Sequence, residues 1–98
     1  MSNLLDRFIR YAKINTRSEL YISDRTPTTD NQWDLARLLE QELKEMGMQD
    51  VVLNEKCFLF ATLPATSSKK IPTIGFLAHI DTAGDFNGEG VNPQIIEN

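Results

Sequence analysis

Apolar residues recur every three or four positions in two stretches of the chain, which is the spacing of amphipathic helices. The first stretch follows Asn3, a residue suited to cap a helix, and extends to about residue 13 or 14. The second begins near Thr29 and Gln32, which have the spacing of a capping box, and stops at Gly47, where a C-terminal cap is expected. We therefore predict two helices whose apolar faces pack into a core.

Three later stretches are apolar without helical periodicity. The runs 51–53 and 58–63 flank the short polar break 54–56, which predicts an antiparallel hairpin. The run Ile74 to Ala78 is continuously apolar, as expected for a strand buried on both faces of a sheet. The order of these elements predicts an α/β fold in which helices pack on one face of a mixed β-sheet.

The remaining segments are polar and predict loops. Between the two helices, the stretch 17–27 is interpreted as a solvated connector rather than as a substrate contact. After residue 82, three glycines occur within seven residues, which favours an irregular surface loop. This loop follows the predicted third strand, and α/β proteins usually bind ligands in loops at the carboxyl ends of strands.

The only histidine of the chain, His79, follows the third apolar run, and Asp81 lies two residues further on. In extended backbone these two side chains point to the same side. A carboxylate can accept the proton of one ring nitrogen and leave the other nitrogen free to bind a metal. The alternative is a structural histidine at a strand end beside a turn aspartate, and the pattern by itself favours that alternative.

Composition narrows the class of protein. A chain of 98 residues with 41% hydrophobic residues and a net charge of −4 fits one soluble globular domain and argues against a nucleic-acid surface. No apolar stretch approaches the roughly 20 residues that span a bilayer. Cys57 is the only cysteine, so we expect no internal disulfide, a filler role for its side chain and a cytoplasmic protein.

The last residues resemble the start of a further strand, since Ile95 and Ile96 are followed by no capping pattern. A sheet of three or four strands would leave an edge and much apolar surface uncovered. We therefore expect the chain to be the front part of a longer protein, and to self-associate through the open edge when alone. The alternative is a complete small protein that acts as a binding or assembly module.

Five segments carry a resemblance to a known family. They are Leu4 to Phe8, Pro27 to Trp33, Leu63 to Ala65, Gly75 to Thr82 and Val91 to Asn98. In this order and spacing they resemble the amino-terminal part of the tripeptide aminopeptidases in the M20 family of dinuclear zinc peptidases. The final segment favours that group over the dipeptidases and carboxypeptidases of the same family, which are the alternative. Ala83-Gly84 departs from the family, whose members more often carry a proline there, and is expected to loosen the loop.

The resemblance implies a zinc peptidase that releases the first residue of short peptides such as tripeptides. His79 would bind one of two zinc ions per subunit, and Asp81 would hold the imidazole as part of the catalytic site. A metal-bridging water, activated by a glutamate, would attack the peptide carbonyl. The resemblance also implies a cytoplasmic enzyme, possible homo-oligomers, and no nucleic-acid or membrane partner.

The same resemblance places the other ligands, the glutamate base and a second histidine outside residues 1–98. Residues 1–98 would form the amino-terminal segment of the catalytic domain, without the dimerisation or lid domain. We expect residues 1–98 to be inactive alone. Three carboxylates near the motif are interpreted as loop acids rather than ligands: Asp85, Glu89 and Glu97.

Overall fold

The computed structural model describes residues 3–97, so Met1, Ser2 and Asn98 of the predicted 1–98 segment lie outside the described residues. It contains two helices and two strands, in the order α1 (Leu4–Ala12), α2 (Gln32–Glu45), β1 (Gln49–Leu53) and β2 (Leu59–Thr62). This is a small helix-and-sheet fold, consistent with the predicted α/β class. The radius of gyration is 16.0 Å, against about 13 Å for a compact domain of 100 residues, so the fold is open.

Helix α1 confirms the predicted cap. The Asn3 side chain accepts a hydrogen bond from the Asp6 backbone N–H at 2.8 Å. The expected core packing of its apolar face is wrong, because Leu4 and Phe8 are 84% and 64% exposed. The helix is instead tied to α2 by polar contacts, in which Arg10 and Tyr11 hydrogen-bond to the Glu42 carboxylate.

Helix α2 starts at Gln32, and the predicted capping box does not form. The Thr29 hydroxyl accepts from Gln32 Nε2 at 2.9 Å and donates to the Arg17 carbonyl at 2.8 Å. Residue Asn31 precedes the helix without making a side-chain cap. The side chains before the helix therefore serve contacts with a distant segment in place of the local cap.

The end of α2 agrees with the prediction. Its C-cap is Met46, and Gly47 follows with a φ of +84°, in the left-handed region. The N–H of Gly47 donates to the Lys44 carbonyl at 3.1 Å. A glycine at this position ends the helix without the steric penalty that a side chain would bring.

Strands β1 and β2 form the predicted antiparallel hairpin, with Val52 opposite Phe60. The register shifts by one residue between Gln49 and Val52, which is a β-bulge. Asp50 lies in this bulge with a φ of 51°, a conformation that aspartate tolerates better than most residues. Val52 and Phe60 are both more than half exposed, so one face of the hairpin is open.

The turn of the hairpin is held by one side chain. Asn54 Oδ1 accepts from the backbone N–H groups of Lys56 and Phe58, both at 2.9 Å. Cys57 completes the turn with a φ of 65° and is buried. Burial raises the pKa of its thiol, which keeps it protonated and agrees with the expected filler role.

The core is small and lies between α2 and the hairpin, which pack on each other. Its apolar members are Leu35, Ala36 and Cys57, of which Ala36 is completely buried. The buried polar residues are Thr16 and Gln32. In residues 3–97, neither helix is long and apolar enough to cross a membrane.

The predicted strand from Ile74 to Ala78 is wrong for this structure, and so is the mixed sheet. The run has no strand assignment, and Phe76 and Leu77 are 94% and 102% exposed. A strand exists through hydrogen bonds to a neighbour, and within residues 3–97 the sheet contains only β1 and β2. Arg17 and Thr82 form an isolated parallel bridge that extends into no strand among the described residues.

Candidate metal-ligand site

The structure brings His79 and Asp81 into contact, as the sequence pattern predicts. Imidazole Nδ1 lies 2.9 Å from the Asp81 carboxylate atom Oδ1 and 2.9 Å from the Asp81 backbone oxygen. Because both oxygens only accept hydrogen bonds, the ring proton must lie on Nδ1. Among the described residues, both hydrogen-bond partners of the His79 ring lie at Nδ1. The lone pair of Nε2 can therefore face a metal or water.

The aspartate also changes the acidity of the ring. The side-chain hydrogen bond to Asp81 raises the pKa of His79, helped by the backbone hydrogen bond and by the negative charge. His79 is strongly exposed, with a side-chain exposure of 86% against 39% for Asp81. A metal at Nε2 would therefore compete with a proton that this pair binds more tightly than free histidine does.

The loop after Asp81 is anchored to the segment before the second helix. The N–H of Thr82 donates to the Thr16 carbonyl at 3.0 Å, and the Thr82 carbonyl accepts from the Ser18 N–H at 2.9 Å. The Arg17 guanidinium donates to the Gly84 carbonyl from Nε at 2.9 Å and from Nη2 at 2.5 Å. The residues 16–18 thus form a clamp on residues 82–84, and we call them the clamp segment.

These contacts correct one expectation and concern the region of another. The stretch 17–27 is not a free connector throughout, because its first residues, Arg17 and Ser18, bind the loop that follows His79. The loosening of the loop by Ala83-Gly84 stays a prediction, and in this structure Gly84 is buried and its carbonyl accepts hydrogen bonds from Arg17. Sequence reasoning missed these contacts because hydrogen bonds between residues 64 to 67 positions apart leave no local pattern.

The His79–Asp81 pair borders a wide groove. The run 76–81 forms one wall, and α2 with the hairpin forms the other, around a volume of about 1040 Å³. The lining of this groove includes Ala36, Leu39 and Leu43 of α2 and Phe58 of the turn. The groove is mainly apolar, and its polar lining residues are Thr26, Thr28, Gln32, Lys56, His79 and Asp81.

The described residues supply one candidate metal ligand, His79. Within residues 3–97, no cluster of three or more histidine, cysteine, aspartate or glutamate side chains is placed to hold a metal ion. The carboxylates of Asp85, Glu89 and Glu97 are at exposed positions. Protein zinc sites use three or four protein ligands, so His79 fits as one member of a set and cannot form the site alone.

Comparison with known proteins shows consistent similarity to peptidases. Peptidase T of Exiguobacterium sibiricum is 58% identical over 95 residues, which are 97% of this chain and 23% of that protein. Peptidase T of Geobacillus thermodenitrificans is 54% identical over 96% of this chain and 23% of its own length. Peptidase T of Salmonella newport is 49% identical over the whole chain and 24% of its own length. No family model matches the chain.

The class defined by these relatives is that of the peptidases. More narrowly, the chain belongs to the peptidase T family, of which it matches the amino-terminal part. This confirms the resemblance seen in the sequence segments. The chain spans about a quarter of the length of the curated relatives it matches.

Proposed function

We propose that these residues form the amino-terminal segment of the catalytic domain of a zinc-dependent tripeptide aminopeptidase, with His79 as a zinc ligand and Asp81 as its orienting carboxylate. The observation that carries the proposal is the Nδ1 contact of His79 with Asp81, at 2.9 Å. It fixes the tautomer in which Nε2 is available, which is the arrangement that metal-binding histidines commonly use. The peptidase T relatives support the reaction class.

Each residue has a defined part in this function. His79 Nε2 would hold the metal, and Asp81 would keep the ring in one orientation and make it a stronger ligand. Zinc, when bound, polarises the peptide carbonyl and lowers the pKa of a water molecule. The groove beside the pair would contribute apolar side chains to one wall of the site, and most of the site must come from residues other than these.

The substrate and partners follow from the same proposal. Short peptides with a free amino terminus, tripeptides above all, would be the substrates, and two zinc ions would bind per subunit. Residues 1–98 by themselves would not hydrolyse peptides, because they supply one ligand and no base. Self-association through exposed apolar residues, such as Phe60 of the hairpin at 57% exposure, would occur when the chain is alone.

The test is a chimaera in which these 98 residues replace the matching segment of the Exiguobacterium sibiricum peptidase T. We expect hydrolysis of a tripeptide and none of its amino-acetylated form. His79→Ala should abolish activity, and Asp81→Ala should lower kcat/KM by roughly 10- to 100-fold. The matched control is Asp85→Ala, which removes a nearby exposed carboxylate and should leave activity unchanged.

Two results would contradict the proposal. Full activity of the His79→Ala chimaera would remove the proposed ligand role. Equal hydrolysis of the free and acetylated peptides would exclude an aminopeptidase and favour another peptidase of the same family.

A further inference from the structure

We propose that Arg17 is a positioning residue for the His79–Asp81 pair, acting through the backbone that follows the pair. The inference rests on the proposed function, in which His79 binds metal and Asp81 orients it. It adds Arg17, which lies 62 positions before His79 in the sequence, to the residues that orient the His79 imidazole.

One peptide group connects the clamp segment to the imidazole. The carbonyl of Asp81 and the N–H of Thr82 belong to the same planar unit. That carbonyl accepts from His79 Nδ1 at 2.9 Å, and that N–H donates to the Thr16 carbonyl at 3.0 Å. Fixing the N–H therefore fixes the direction of the oxygen that the imidazole meets.

Arg17 supplies the strongest contact of the clamp. Its guanidinium donates two hydrogen bonds to the Gly84 carbonyl, and bonds from a charged donor are stronger than neutral ones. Because Gly84 is buried, water cannot readily replace the guanidinium at that oxygen. Loss of the Arg17 side chain would release the Gly84 carbonyl and leave the loop held through Thr82, by Thr16 and Ser18.

The clamp is itself held by the residues before α2. The Arg17 carbonyl accepts from the Thr29 hydroxyl at 2.8 Å, and the Arg17 N–H donates to Asn15 Oδ1 at 3.1 Å. The Asn15 carbonyl accepts from Asn31 Nδ2 at 2.8 Å. Hydrogen bonds, together with the backbone between them, thus connect the residues before α2 to the imidazole of His79.

Close packing at Gly84 gives a second way to disturb the same loop. A Cβ at this position would lie 2.7 Å from the Leu20 side chain and 2.9 Å from the Ser18 carbonyl. The Ser18 carbonyl is backbone and cannot rotate away. Gly84→Ala should therefore push the loop off the clamp while Arg17 remains intact.

The experiment uses nitrogen-15 NMR of the full chain, in which the single histidine gives one unambiguous imidazole signal. The variants are Arg17→Ala, Arg17→Lys and Gly84→Ala. The matched control is Arg25→Ala, since Arg25 also lies in the stretch 17–27 but contacts Pro27 and Asp30. Amide exchange at Thr82 and the tautomer signal of the ring are measured in each, with or without added zinc.

We expect Arg17→Ala to raise exchange at Thr82 about tenfold and to shift the ring signal away from the Nδ1–H tautomer. Arg17→Lys should restore part of both signals, because one cationic donor remains, and Gly84→Ala should act as Arg17→Ala does. Arg25→Ala should match the wild type. Amides within α2, such as that of Ala36, should not change and so report an intact fold.

The inference is overturned if the ring signal stays at its wild-type value in both Arg17→Ala and Gly84→Ala, or if the α2 amides lose protection equally. If Arg17→Ala unfolds the chain, the Arg17→Lys and Gly84→Ala results decide. A ring signal that depends on Arg17 supports the positioning role with or without a response to zinc. Because the described residues supply one candidate ligand, the metal function is tested by the His79→Ala chimaera and not by zinc added to this chain.

Discussion

Residues 32–62, which we call the α2–hairpin unit, and residues 74–81, the site segment, are both rich in apolar side chains but differ in packing. The unit contains the buried residues Leu35, Ala36 and Cys57. In the site segment, Phe76 and Leu77 project almost wholly into solvent. The difference lies in where the hydrogen-bond partners are found along the chain.

The helix and the hairpin satisfy their backbone groups within a few residues. Helix hydrogen bonds join residues four apart, and the hairpin closes through a turn held by Asn54. A strand in the middle of a sheet needs neighbours on both sides, and those can be far away in sequence. Apolar composition therefore predicts burial only where a partner is present.

The largest expected effect is at the core of the α2–hairpin unit. Leu35→Ala should lower the free energy of unfolding by about 2–4 kcal/mol, since it leaves a cavity at a buried position. Phe76→Ala, at a residue 94% exposed, should change it by less than about 0.5 kcal/mol. Urea unfolding followed by circular dichroism measures both. Equal losses in the two variants would mean that the site segment packs in solution. The difference in packing between the α2–hairpin unit and the site segment would then be contradicted.

A smaller effect is expected in the hairpin turn. Asn54→Ala removes the acceptor of two backbone N–H groups and should cost about 1–2 kcal/mol. The matched control is Glu55→Ala at the next, exposed turn position, which should be close to neutral. Urea midpoints and amide exchange at Phe58 test this. An Asn54→Ala variant as stable as the control would show that the turn forms without the side chain.

The link between the helices should make stability depend on pH. Burial disfavours the charge on Glu42, but hydrogen bonds from Tyr11 and Arg10 outweigh it and hold the pKa of this carboxyl below its ordinary value of 4.5. A lowered pKa stabilises the folded chain above the unfolded value, and this contribution is lost as the pH falls through the folded value.

Below about pH 4.5, the free energy of unfolding should therefore fall more steeply with decreasing pH in the wild type than in Glu42→Gln. The difference should be smaller than the loss caused by Leu35→Ala. Urea unfolding across this pH range measures the difference. Glu45→Gln, an exposed carboxylate on the same helix, is the control and should keep the wild-type slope. Parallel slopes for the wild type and Glu42→Gln would count against the interhelical contact.

The smallest effect on stability is expected in the site segment. Asp81→Asn should lower the pKa of His79 toward the ordinary value of 6.5, because the hydrogen bond to the carboxylate is the main cause of its rise. With a raised pKa, the pair stabilises the fold below pH 6.5, and this contribution fades as the pH rises through the folded value. NMR titration of the single histidine reads the change directly, and Asp85→Asn should not produce it. If Asp81→Asn left the pKa of His79 unchanged, the hydrogen bond between His79 and the Asp81 carboxylate would be contradicted.

Sequence reasoning reached the local features of the site because neighbouring residues build them. His79 and Asp81 are two positions apart, so their contact follows from backbone geometry and the chemistry of imidazole and carboxylate. The cap of α1 at Asn3 and the C-terminal glycine of α2 were predictable for the same reason. The role of His79 and Asp81 in binding zinc remains a prediction.

Contacts between distant segments were out of reach of any local pattern. The turn-forming residues before α2 suggested a local cap, but Thr29 bonds to Arg17 instead. The exposed apolar face of α1 could not be foreseen either, because periodicity shows that a face is apolar and not what covers it. The bridge between Arg17 and Thr82 joins two stretches that both read as loops.

The sequence by itself determined the two helices and the hairpin, with their ends to within a few residues, the pairing of His79 with Asp81, and the family. It could do so because helices, hairpin turns and short motifs depend on side chains close together along the chain. The tertiary structure alone decided what lies against what: the clamp of residues 16–18 on residues 82–84, the tie of α1 to α2 through Glu42, and the exposure of the run 74–78. These depend on non-local partners, and a backbone group or apolar side chain takes whichever partner the folded chain brings within reach.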